Sequence, residues 1–125
     1  MMEQKFYVCE HCGNIVAVVK SSGVPIMCCG QKMKELIPGT TDAAVEKHVP
    51  SYEIKDGKVY VKVGEVEHPM VDAHYIEWIS IQTNKGNQRK ILVPNQKPEA
   101  VFPILEDEIV EAVYAYCNLH GLWKK

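Results

Sequence analysis

The stretch "KDGKVYVKV", residues 55–63, alternates apolar and polar side chains behind a tight-turn pair. Val59, Val61 and Val63 fall on one face and Lys58, Tyr60 and Lys62 on the other, the period of two that a half-buried strand requires. Asp56-Gly57 is the kind of pair that accepts positive φ in a two-residue hairpin. The same pattern recurs further along the chain. "HYIEWISIQ" (74–82) and "RKILV" (89–93) flank "TNKGN", a second hairpin signal. "IVEAVYAYC" (109–117) is long enough for a short helix, but its Val, Tyr and Ile content predicts a strand. About five to seven short strands with hardly any helix predict a mainly β protein, an immunoglobulin-like antiparallel β-sandwich.

At 125 residues, 46% of them apolar and 24% charged, the chain has the composition of a globular protein with a core of its own. A net charge of −2 provides no general attraction to nucleic acid or to a membrane surface. No apolar run approaches the ~20 residues of a membrane span. The opening "MMEQKFYVCEHCG" has no apolar signal core, so a cytoplasmic protein is expected. In a reducing compartment its five cysteines are thiols or metal ligands rather than disulfides. Four of them precede "IPGTTD" (37–42), a linker composition, so the division expected is 1–36 and 37–125. There are no repeats and no low-complexity tracts. "NIVAVVK" (14–20) is a β-like run within the first part.

That first part carries Cys9-x-x-Cys12, a gap of fifteen residues, then Cys28-Cys29. A Cys-x-x-Cys turn wraps two thiolates around one ion, and its amides can hydrogen-bond the sulfurs. A second pair completes a tetrahedral four-sulfur site, which suits zinc or iron. The second pair is adjacent in sequence, so a distorted tetrahedron is expected. About 36 residues do not fold alone without such a staple. His11, inside the first pair, is left without a coordination position and reads as a surface residue.

The second part holds His48, His68, His74, Cys117 and His120. His68 is kept extended by Pro69, and His74 lies six residues on. Cys117 ends the last predicted strand, and His120 follows in a turn closed by Gly121. One such histidine means little; four with one cysteine suggest a common centre. Five donors exceed a closed tetrahedral zinc site, and square-pyramidal coordination with a sixth position open suits iron. Trp78, Tyr114 and Tyr116 read as core and sheet-face residues. Trp123 is expected to pack at the end of the sandwich near His120. Taken alone, Glu46 and Lys47 read as a solvated charged turn.

In chain order, "YVCEHCGN", "CCGQKM", "DAAVEKHVP", "VEHPM", "HYIEWI" and "YCNLHGLWK" resemble the desulfoferrodoxin family, the two-iron superoxide reductases. The resemblance spans nearly the whole chain, with no departure at a ligand position. It implies a rubredoxin-like iron on Cys9, Cys12, Cys28 and Cys29 in a small desulforedoxin-like domain. It implies a catalytic iron with His48, His68, His74 and His120 in the plane and Cys117 axial. It further implies Glu46 and Lys47 at the open face, a rubredoxin-like electron donor and a homodimer.

Those ligands indicate a chemistry. Four neutral imidazoles and one thiolate leave a ferrous ion with a formal charge of +1, which favours an anion such as superoxide at the vacant position. The thiolate donates electron density toward the bound oxygen species. The overall change is reduction of superoxide to hydrogen peroxide, for which an outside electron is required. Two other readings stay open on the residues alone: a non-catalytic iron electron carrier, and a zinc-stapled binding module. Visible colour separates iron from zinc, and reactivity with superoxide separates catalyst from carrier.

Overall fold

A computed structural model describes residues 3–41 and 43–125. Met1, Met2 and Asp42, the last being the end of the expected linker, lie outside the described residues. The chain divides into two compact units, Met1–Ile37 and Pro38–Lys125.

The first unit is built from β1 (Phe6–Val8), β2 (Ile15–Ala17), β3 (Met27–Cys28), β4 (Gln31–Lys32) and β5 (Lys34–Glu35). Strands β2, β1 and β5 make one antiparallel sheet, and β3 and β4 a separate hairpin. The run expected over 14–20 is a strand only at Ile15–Ala17. Beyond it the sequence turns through Ser21-Ser22-Gly23, and Val19 is fully exposed. Phe6, Cys9 and Met33 are the buried apolar side chains described in this unit. So small an apolar centre cannot offset the entropy of ordering the chain by itself.

The second unit is an antiparallel β-sandwich. After a short helix, α1 (Val45–His48), come β6 (Pro50–Lys55), β7 (Lys58–Val63), β8 (Ile76–Thr83) and β9 (Gly86–Ile91). They are followed by β10 (Glu99–Pro103), β11 (Val110–Cys117) and β12 (Gly121–Lys124). One sheet has the order β10-β7-β6 and the other β12-β11-β8-β9. The turn between β6 and β7 is Asp56-Gly57, both at positive φ (51° and 73°), which pairs Lys55 with Lys58. That turn places Val59, Val61 and Val63 inward, at 0–1% exposure. They meet Ile79, Ile81, Val113, Ala115 and Phe102 in one core. Each buried valine contributes about 1.5–3 kcal/mol, so a one-residue register slip would forfeit several kcal/mol.

Two irregularities shape the end of the sandwich that bears the histidines. The pairing of β11 with β8 shifts between Tyr116 and Cys117, which face Trp78 and Ile76. The shift leaves Cys117 fully buried in the core cluster. The β11–β12 hairpin then closes with Cys117 opposite Gly121, at φ 78°, and places His120 in the turn. Among the described residues no helix is long and apolar enough to cross a membrane.

Candidate metal centres

The first unit gathers the sulfurs of Cys9, Cys12, Cys28 and Cys29 within 4.8 Å of one another. Cys12 and Cys28 Sγ are 3.6 Å apart, close to the edge of about 3.8 Å in a tetrahedron with 2.3 Å metal–sulfur bonds. The Cys-x-x-Cys loop closes by Gly13 N–H donating to Cys9 O at 2.8 Å, and Cys12 N–H donates to Cys9 Sγ at 3.4 Å. That backbone donation holds the Cys9 thiol down at about 6. The neighbouring thiols of Cys12 and Cys9 push Cys28 up, and Cys29 up to about 12. Four thiols so close cannot all ionise without a cation among them. The backbone at the adjacent cysteines is left-handed: Cys29 sits at φ 52° and Gly30 at φ 73°. That left-handed step lets neighbouring side chains turn toward one centre. His11 is exposed, as expected.

The second unit brings together His48, His68, His74, His120 and Cys117. His48 is the last residue of α1, and His68 lies in the loop after β7. His74 precedes β8, bridged to Val71, and His120 follows β11. The four rings form a square. Neighbouring centroids are 4.6 Å (His48–His68), 4.7 Å (His68–His74), 5.0 Å (His74–His120) and 4.9 Å (His120–His48) apart, and each pair is edge-on. Across the diagonal, His48 and His74 are 6.3 Å apart and closer to parallel, at 29°. Cys117 Sγ is 3.9 Å from His120 Nδ1.

The inward nitrogens are the most telling contacts. Nδ1 of His48 is 2.7 Å from Ala44 O, and Nδ1 of His68 is 2.7 Å from Pro69 O. A carbonyl only accepts, so each Nδ1 carries the proton and each neutral ring turns a bare Nε2 inward. These Nε2 atoms are 3.1 Å apart, and His48 Nε2 is 3.1 Å from His120 Nδ1. The Nε2 lone pairs of His48 and His68 at that distance make no hydrogen bond. The spacing is instead that of adjacent donors about 2.1–2.2 Å from one ion, at a right angle. Protonation is disfavoured: burial pushes His48 and His74 below the usual histidine range, and His68 down to about 4. His74 Nε2 is buried without a hydrogen-bond partner. Burial also pushes the Cys117 thiol up, a cost that a bound cation offsets. Both donor sets therefore fit a metal, and together they fit two iron centres per chain.

Trp123 lies near His120, as expected, and reaches His48 as well; Asn118 is a supporting residue that its type alone did not mark. Trp123 stacks on His48 at 5.0 Å and 28°, and its Nε1–H donates to His120 O at 3.0 Å. Asn118 Oδ1 accepts from Tyr75 N–H at 2.9 Å while Nδ2 donates to Ala73 O at 3.1 Å. This ties the His74 segment to the turn bearing His120. Its place between Cys117 and His120 is the one clue the sequence offered. Glu46 and Lys47 are exposed on α1, next to buried His48. Trp78 stacks on Tyr116 across β8 and β11 at 5.6 Å, a sheet-face pair.

The desulfoferrodoxin family model matches residues 40–125, and the model of the desulfoferrodoxin N-terminal domain matches residues 2–36. A desulfoferrodoxin homologue of Archaeoglobus fulgidus is 48% identical over 118 residues, covering 94% of this chain and 93% of that protein. Desulfoferrodoxin of Nitratidesulfovibrio vulgaris is 45% identical, covering 98% of this chain and 95% of that one. The crystal structure of the superoxide reductase from Treponema pallidum superposes with a TM-score of 0.84 at 36% identity, over 99% of each chain. Two donor sets that each fit iron, matched by both halves of one family over nearly the full length, place the chain in the desulfoferrodoxin family.

Proposed function

We propose that this protein is a superoxide reductase, adding one electron and two protons to superoxide to form hydrogen peroxide. The observation that carries the reading is the square of imidazoles, with the bare Nε2 atoms of His48 and His68 3.1 Å apart, backed by the buried thiol of Cys117. The likeness to the Treponema pallidum superoxide reductase supports it. On this reading His48, His68, His74, His120 and Cys117 hold the catalytic iron, and Cys9, Cys12, Cys28 and Cys29 hold a second. Ferrous iron supplies the electron and an open coordination position. The carbonyls of Ala44 and Pro69 lock the rings in the tautomer that leaves Nε2 free. Trp123 covers one face of His48 and keeps its ring from rotating. The buried sulfur of Cys117 occupies the inner side, leaving substrate to approach from the side of the exposed Glu46 and Lys47. Lys47 would attract the anion, and the Glu46 carboxylate would be available as a further oxygen donor to the iron. Residues 1–36 form a desulforedoxin-like iron-binding domain and 37–125 the catalytic sandwich. The protein acts in the cytoplasm as a homodimer, supplied by a rubredoxin-like donor.

The test is iron analysis with a visible spectrum, followed by reaction with superoxide, on the wild type and on Cys117→Ser. Serine keeps the size but replaces a soft, strongly donating ligand with a hard one. The expected result is two irons per wild-type chain, and in Cys117→Ser loss of both the thiolate band of the second unit and superoxide reactivity. Iron-loaded protein inert to superoxide would leave only an electron carrier. Colourless zinc protein would sink both readings.

A further inference from the structure

We propose that Asn14 raises the reduction potential of the iron held by Cys9, Cys12, Cys28 and Cys29, acting through its side-chain amide. The inference rests on reading those cysteines as iron ligands. Asn14 Nδ2 lies 3.7 Å from Cys28 Sγ. A thiolate only accepts, so it is the NH₂ end of the amide that faces the sulfur. The side chain is presented by the metal-binding loop itself, two residues after Cys12. Asn14 O accepts Cys9 N–H at 2.8 Å, and Gly13 makes the left-handed turn, at φ 84°, that leads into it. These are main-chain contacts, so exchanging the Asn14 side chain leaves the loop closed.

Reduction adds one negative charge to the iron and its four sulfurs. An N–H dipole aimed at one sulfur stabilises the more negative state more strongly, and the potential rises. Asn14 is exposed and Cys28 half-buried, so water competes for the sulfur and the effect is that of one net hydrogen bond. Cys9 has a donor too, the main-chain N–H of Cys12, but no substitution that keeps the fold removes it. Asn14 is therefore the adjustable contact. It lets this iron accept an electron more readily and release it less readily, while leaving the imidazole site of the second unit untouched.

The experiment is a spectroelectrochemical titration of the full chain carrying both irons, comparing wild type, Asn14→Ala and Asn14→Asp. The two centres are followed by their own visible bands in the same sample. Asn14→Ala removes the donor, and Asn14→Asp removes it and adds a negative charge. The expected result is a lower midpoint for the N-terminal iron in Ala, and a lower one still in Asp. For Ala the equilibrium constant for reduction falls about threefold to tenfold, the weight of one net hydrogen bond. The midpoint of the second iron stays fixed, and iron content stays at two per chain. An unchanged N-terminal midpoint in variants that hold both irons would overturn the proposal. So would an equal shift at both irons, which would mark a general charge effect. Wild-type protein without an N-terminal thiolate band would overturn the iron reading on which the proposal rests.

Discussion

Lys47 is an exposed cation one residue before His48, which is 2% exposed. On the proposed reading it is a single positive charge beside an anion site, which belongs at the low end of electrostatic steering, about tenfold. In Lys47→Ala the bimolecular step with superoxide should slow about tenfold at low salt, and its dependence on ionic strength should flatten. Stopped-flow rates equal to wild type at low salt would reduce Lys47 to a solvated surface charge. Residue types legible in sequence are those with chemistry of their own, the cysteines and histidines. Ala44 and Pro69 were not legible, because they act through main-chain carbonyls, which every residue has. Trp123 was placed near His120 by proximity in sequence, but its stacking on His48 requires two segments 75 positions apart (123 − 48) to meet.

Gly64, just past β7, shows how an element is held in place. It sits at φ 86°, and a Cβ there would lie 2.6 Å from Lys47 O and 2.4 Å from Val66 O. The same turn grips α1: Glu46 O accepts Glu65 N–H at 2.6 Å and Val66 N–H at 3.1 Å, and Gly64 N–H donates to Val49 O at 3.1 Å. Gly64→Ala should therefore cost about 1–3 kcal/mol. It should also speed iron loss from the histidine site by displacing the helix that ends in His48. Denaturant unfolding and iron-release kinetics measure the two effects. In the turn before β11, Glu108 accepts from Thr83 Oγ1 at 2.5 Å and from Leu105 N–H at 2.9 Å. The Thr83 hydroxyl and the Leu105 amide hold its pKa below the usual carboxylate value. A depressed carboxylate contributes stability above its unfolded pKa and loses it as pH falls through the folded one. The stability gap between wild type and Glu108→Gln should thus be full at neutral pH and shrink from about pH 4.5 downward. A gap independent of pH in denaturant titrations would remove Glu108 from that account.

On the scale of the molecule, each unit supplies every donor of its own centre: Cys9 to Cys29 in the first, His48 to His120 in the second. The first unit has few buried apolar side chains, so the metal carries much of its stability, on the order of 10 kcal/mol in comparable peptides. Cys12→Ser should remove the N-terminal iron and unfold that unit locally. The sandwich should keep its core, its iron and its reaction with superoxide. Metal analysis falling from two per chain to one, with reactivity kept, is the expected result. Loss of both metals would show that the centres depend on each other.

Local pattern alone was enough for the strand at 58–63, its Asp56-Gly57 turn and the β-class of the chain, because alternation and turn preference act over a few residues. It was also enough to group the four cysteines, whose spacing is short. The helix α1 was not legible, since four residues show no helical period. Nor was the left-handed backbone at Cys29. Only the tertiary structure could make a square of four histidines, with His48 and His120 meeting across 72 positions of sequence. Sequence spacing carries no angle or distance over such a span. The register of two sheets, one bulge and three loops supplies it.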